Sequence, residues 1–156
     1  MDTYDSVGNR TNRNLDTVIT TWLYDNAYRL TGQLKTGERA TFTYDNAGNT
    51  LIKAQEGSNP LTFSYDAANH IITQVNGATV TTMTYDANGN LTEENAAGSR
   101  TTNVYDNENR LTNIKFPDGT KSTYSYNGDN LRRSKFEAGG TLTTMIWDGS
   151  DYLGEV

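Results

Sequence analysis

Carboxylates recur along this chain at fixed intervals. Asp5, Asp25, Asp45, Asp66, Asp86, Asp106 and Asp148 each follow an aromatic residue and open a short polar stretch, such as "DNAGN" (45–49) or "DANGN" (86–90). Clustered oxygens of this kind could ligate calcium. These stretches are too short for the calcium-loop pattern, however, and no acidic residue closes them at the required distance. Paired carboxylates could also hydrolyse a glycosidic bond, given two acids flanking a cleft. Here the acid occurs once per repeat, and repetition points to a structural device rather than a single active site. Glu93 and Glu94 in "EEN" (93–95) read as a solvated approach to a turn. His70, the only histidine, has no Ser, Cys or carboxylate constellation around it that would make it a general base. It stands at a turn position that Asn or Arg fills in other repeats. The residues thus offer no catalytic group, no metal ligand and no cofactor site.

The aromatics could do different chemistry, since Tyr and Trp faces stack on sugars. The marks are Tyr4, Tyr24, Tyr44, Tyr65, Tyr85, Tyr105, Tyr126 and Trp147, at spacings of 20 or 21 residues. In the seventh mark Asn127 replaces Asp. Self-similarity at a fixed period is the signature of a repeat architecture. Two residues before most marks stands another large side chain: Trp22, Phe42, Phe63, Met83, Tyr124, Met145. Residues two apart share one face of a strand. The approach to each mark is therefore a strand with an aromatic-rich face and a Thr-rich face. That pitch favours rings packed on a sheet face. A glycan- or receptor-binding adhesion strip, using the same aromatic face, is the alternative.

The element that positions each Asp is a turn. Asp at its first place and Gly at its fourth, as in Gly48 and Gly89, suit a type I turn in which Gly or Asn accepts positive φ. Midway through each unit lies a second turn, in "KTGE" (35–38), "VNGA" (75–78) or "PDGT" (117–120). Asn76-Gly77 is the strongest two-residue hairpin signal. No window keeps a helical period. About seven units over residues 1–156, each of two strands of about six residues, predict an all-β, antiparallel array of hairpins with roughly fourteen strands. Open sheets rarely exceed about ten strands without curling, so a coiled, spiralling strip is expected. Its unpaired edges and half-covered aromatic face predict self-association.

The net charge of −6 and pI near 4.7 argue against a nucleic-acid partner. No apolar run approaches the length of a membrane-spanning helix, so no membrane insertion is expected. The absence of Cys excludes disulfides. No signal peptide precedes the first repeat. Met1 reads as the start of a segment cut from a longer chain, so this says little about targeting.

The unit "YDxxGNL", preceded by a strand of "YxYD" type, resembles the YD repeat of the Rhs family, which includes polymorphic toxins, toxin-complex shell subunits and teneurins. "YDNAGN", "YDANGNLT" and "YDNENRLT" carry the resemblance, and "YSYNGDNLRRSKFEAGGT" with "WDGSDYLGEV" is similar to the last repeats before the Rhs core domain. The resemblance implies a section of hollow β-shell, secreted or at the cell surface. Its partners would be the rest of the parent shell and an enclosed toxin or cargo. The Asp-Pro contexts of the family's self-cleaving domain are absent from this sequence, so no protease is implied.

Overall fold

The computed structural model describes residues 1–156 and contains sixteen strands and no helix. Two compact units divide the chain, Met1–Val80 and Thr81–Val156. The first contains β1 (Asp2–Tyr4), β2 (Arg10–Leu15), β3 (Val18–Tyr24), β4 (Leu30–Lys35), β5 (Glu38–Tyr44), β6 (Thr50–Gln55), β7 (Leu61–Tyr65) and β8 (Ile71–Asn76). The boundary falls within β9 (Thr79–Tyr85). The second unit continues with β10 (Leu91–Ala96), β11 (Ser99–Tyr105), β12 (Leu111–Lys115), β13 (Lys121–Tyr126), β14 (Arg132–Phe136), β15 (Leu142–Asp148) and β16 (Asp151–Glu155). Within each unit every strand pairs antiparallel with its neighbour in sequence, as in β3 with β4 and β11 with β12.

Pairing fixes the faces, because directly opposed residues point the same way. Trp22 lies opposite Gln33, Phe42 opposite Lys53, Phe63 opposite Gln74, and Tyr124 opposite Lys135. The other face carries Thr41 against Ala54, Thr43 against Ile52 and Ser125 against Ser134. Neither face supports a second layer. No hydrophobic side chain is fully buried, and Ile19, Leu23, Leu34, Ile52 and Val104 are exposed on the Thr-rich face. The aromatics Trp22, Phe42 and Phe63 are half-buried. Each unit is a single-layer sheet whose order comes from backbone ladders and cross-strand pairs, without an enclosed core.

Three details differ from the sequence reading. There are sixteen strands where about fourteen were expected, because short strands form at both ends of the chain. The mid-unit loop after β8 is Gly77-Ala78, with Asn76 closing the strand. Gly77 alone takes positive φ, 58°, as the first residue of a II′-type hairpin does. Glu93 and Glu94 lie in β10 on the approach to the Ala97-Gly98 loop, but Glu93 is half-buried and pairs with Arg100 at 3.3 Å instead of standing in solvent.

Candidate functional site: the repeated turn and the aromatic bolt

Each Tyr-Asp mark builds the same local structure. In the third repeat the Asp45 amide donates to Asn49 O at 2.9 Å, and the Gly48 amide donates back to Asp45 O at 3.2 Å. The Asp45 carboxylate closes the loop, accepting from the Asn49 amide at 2.8 Å and from Asn49 Nδ2 at 2.9 Å. Asp5, Asp25, Asp66, Asp86 and Asp106 hold the residue four places on in the same way. That residue always brings a side-chain N–H: Asn9, Arg29, His70, Asn90 and Arg110. His70 is thereby a turn residue, its amide bonded to Asp66 Oδ1 and its Nδ1 3.0 Å from Asp66 Oδ2. In the seventh repeat Asn127 Oδ1 accepts from the Asp129 and Leu131 amides.

The fourth position requires positive φ in every repeat: Gly8, Tyr28, Gly48, Asn69, Gly89, Asn109 and Asn130. Gly48 and Gly89 sit at 96° and 84°, whereas Tyr28 and the three Asn lie between 60° and 65°. Replacing Gly48 by Val should therefore cost about 2 kcal/mol, since β-branching tolerates this region poorly. Gly48→Asn should cost under about 1 kcal/mol, because Asn tolerates the left-handed region. Urea unfolding of both variants measures the difference.

The carboxylates are held below their ordinary value of 3.8. At Asp25 and Asp66 the main cause is the backbone amide four residues on, and at Asp45 and Asp86 the Asn side-chain amide. At Asp5 and Asp106 partial desolvation is the largest influence and pushes upward, but the combined hydrogen bonds outweigh it. A carboxylate so committed is an anion tied to its own loop. No group of three or more His, Asp or Glu residues is arranged to hold a metal ion.

The aromatic has a role that residue spacing did not reveal. A register shift beside each mark, between Leu23 and Tyr24 for example, inserts a β-bulge as the chain leaves the turn. The first paired residue after the turn, immediately before the bulged one, presents a carbonyl, and the aromatic of the next repeat donates to it. Tyr24 Oη donates to Arg10 O at 2.9 Å, Tyr44 to Leu30 O at 2.7 Å and Tyr65 to Thr50 O at 2.8 Å. Tyr105 reaches Leu91 O at 3.2 Å and Tyr126 reaches Leu111 O at 2.9 Å. Trp147 serves with its indole N–H, 2.8 Å from Arg132 O. Each ring thus bolts one repeat to the one before. Arginines brace the bolts: Arg29 lies 4.8 Å from the Tyr44 ring centre and Arg110 5.0 Å from that of Tyr126. The same two guanidiniums donate to Asp45 O and Asn127 O of the following repeat. Side chains also join turns directly, Asn49 to Asn69 and Asn90 to Asn109.

The last mark is half conserved in form. Trp147 keeps the bolt, but Asp148 belongs to β15 and pairs with Asp151 across the two-residue loop Gly149-Ser150. With two loop residues instead of five there are no amides for its carboxylate to gather.

A profile of the Teneurin YD-shell family matches residues 38–156. The chain belongs to that family, and its all-β fold of antiparallel repeats is a YD-shell fold. Solved structures show the same architecture. The TcdB2-TccC3-TEV crystal structure superposes with TM-score 0.56 at 14% identity, over 97% of this chain and 11% of that one. The Photorhabdus luminescens Tc holotoxin pore carrying TccC3-D651A gives 0.54 at 14%, over 94% and 11%. TcdB2-TccC3-Cdc42 gives 0.56 at 15%, over 92% and 12%. This chain therefore spans about a ninth of those proteins' length. A search of curated protein sequences found no match.

Proposed function

We propose that this chain is a non-catalytic stretch of wall in an Rhs-type β-shell, part of a larger secreted or surface-delivered protein that encloses a C-terminal toxin or other cargo. Residues 1–156 would form one continuous array within that shell. Its partners would be the remaining shell and what it encloses. The observation that carries this reading is the single-layer sheet without a buried apolar side chain. Such a layer divides two spaces, and its exposed apolar faces call for coverage by more shell or by contents. Membership of the YD-shell family supports it. So do the toxin-complex structures that share the fold, in which a strip of this size is a small fraction of the chain. The positions that define the repeat, Tyr24-Asp25 through Tyr126, act in this reading as structural fasteners.

An adhesion strip binding glycan through its aromatic face is the competing function. The Tyr hydroxyls are spent on bulge carbonyls and several ring faces are covered by arginine, which leaves little for a sugar. Titrating mono- and oligosaccharides against the fluorescence of Trp22 and Trp147 tests this. A flat response is expected. Saturable quenching, abolished by Trp22→Ala or Trp147→Ala, would replace the wall with a binding module.

A further inference from the structure

We propose that Asn127 is a self-modifying position, which loses its side-chain ammonia through a cyclic imide with Gly128 and becomes the aspartate that the other marks encode. Among the seven marks that build the capped turn, only the seventh carries Asn, and only there does Gly follow. The other six read Asp-Ser, Asp-Asn or Asp-Ala. Asn-Gly is the pair in which imide closure is least hindered, because Gly sets no side chain beside the attacking amide. Gly128 is exposed, and even a Cβ there would meet no atom within 4 Å.

The turn prepares each partner in the reaction. Asn127 Oδ1 accepts from the Asp129 amide at 3.0 Å and from the Leu131 amide at 2.9 Å. These are two fixed donors aimed at the oxygen that turns negative when Cγ is attacked, the arrangement of an oxyanion hole. In the Asp marks the residue four places on brings a side-chain N–H. Here that residue is Leu131, which brings none, so Asn127 Nδ2, the leaving nitrogen, has no hydrogen-bond partner. The Gly128 amide, the nucleophile, is likewise uncommitted to any carbonyl.

The steps balance with water as the only co-reactant. The Gly128 nitrogen bonds to Asn127 Cγ, the Cγ–Nδ2 bond breaks, and Nδ2 leaves as ammonia with the proton that the amide gave up. Water oxygen then bonds to Cγ, the bond from Cγ to the Gly128 nitrogen breaks, and that nitrogen regains a proton. Nothing is oxidised or reduced. Opening at the main-chain carbonyl instead would yield isoaspartate, with the backbone lengthened by a methylene. That carbonyl oxygen is held less closely, by the Asn130 amide and Arg110 Nη1, both at 3.2 Å, so opening at Cγ is favoured. The new carboxylate keeps the two amides as charge-assisted bonds, which are shorter and stronger than those to a neutral amide. The Arg110 guanidinium, already bonded to the Asn127 carbonyl, stands beside it as a cation.

Asn88-Gly89 supplies an internal reference on the same chain. There Asn88 Nδ2 is held by Asn109 Oδ1 at 2.9 Å, and the Gly89 amide donates to Asp86 O at 3.1 Å. The test incubates the whole folded chain at mildly alkaline pH and follows both sites by peptide mass, each conversion adding about 1 Da. Asn127 should convert at least about tenfold faster than Asn88, as two oxyanion donors allow. Its main product should be aspartate rather than isoaspartate. In urea, where the turn is gone, the two rates should converge. Gly128→Ala should slow conversion at Asn127 at least about tenfold by crowding the attacking nitrogen, without lowering stability, since the space beside Gly128 is open and its φ is not left-handed. Conversion of Asn127 no faster than that of Asn88, a rate ratio that persists in urea, or isoaspartate as the main product would overturn the proposal.

Discussion

Tyr44→Ala should lower the stability of the chain by about 3 kcal/mol, the largest loss expected from one substitution. Three contributions combine. Removing a half-buried ring forfeits part of the 3–5 kcal/mol that a fully buried one supplies. The Leu30 carbonyl loses its 2.7 Å donor, worth about 1 kcal/mol. The Arg29 guanidinium loses the ring 4.8 Å away, worth about 0.5–1 kcal/mol. Tyr44→Phe separates these, since only the hydroxyl goes, and should cost about 1 kcal/mol. Because each repeat contacts its neighbours in sequence, the damage should be local. Hydrogen exchange should show lost protection in β4, β5 and β6, with β13 to β16 unchanged. Equal loss throughout both units would mean that the ladder is not the unit of cohesion.

Acidification should act on all the turns together. Asp5, Asp25, Asp45, Asp66, Asp86 and Asp106 are each held below 3.8 in the fold. The unfolded chain therefore takes up their protons first as pH falls. Their contribution is complete above the ordinary carboxylate range and is lost as pH descends through the depressed folded values. Tyr fluorescence and near-ultraviolet circular dichroism should be steady from neutrality down to about pH 5, then report loosening below pH 3.8. Substituting Asn at Asp45 and Asp86 should flatten that loss. Asn can still gather two amides, as Asn127 does, but has no proton to gain. An acid transition unchanged in that double variant would place the sensitivity elsewhere, at Glu155 with Lys135 for example.

Much of this structure was legible in the residues. The Tyr-Asp period, the alternation before it and the Gly or Asn three places after Asp led to antiparallel hairpins with left-handed turn residues, and Gly48, Gly89 and Asn109 stand there. The place of His70 in a turn followed from its alignment with Arg29 and Asn49. What the pattern did not reveal was the bolt from Tyr24 to Arg10 or Tyr44 to Leu30. That contact depends on a bulge, and a bulge shifts register between strands without leaving a mark in the spacing along one strand. The side-chain N–H four residues after Asp5, Asp25, Asp45, Asp66, Asp86 and Asp106 is written in the sequence as Asn, Arg or His. Trp147-Asp148 looked like another full mark. Its shorter loop, Gly149-Ser150, decides otherwise, because capping needs amides to cap. The exposed aliphatics on the Thr-rich face, Leu23 and Ile52 among them, follow from a sheet that has no second layer.

The most direct test of a wall without a core of its own is solution mass. Light scattering on a sizing column should show species heavier than the 17.3 kDa chain, growing with concentration as open edges and uncovered rings find partners. A mass of one chain at every concentration, with cooperative unfolding unchanged, would show a strip stable alone and would contradict its reading as wall.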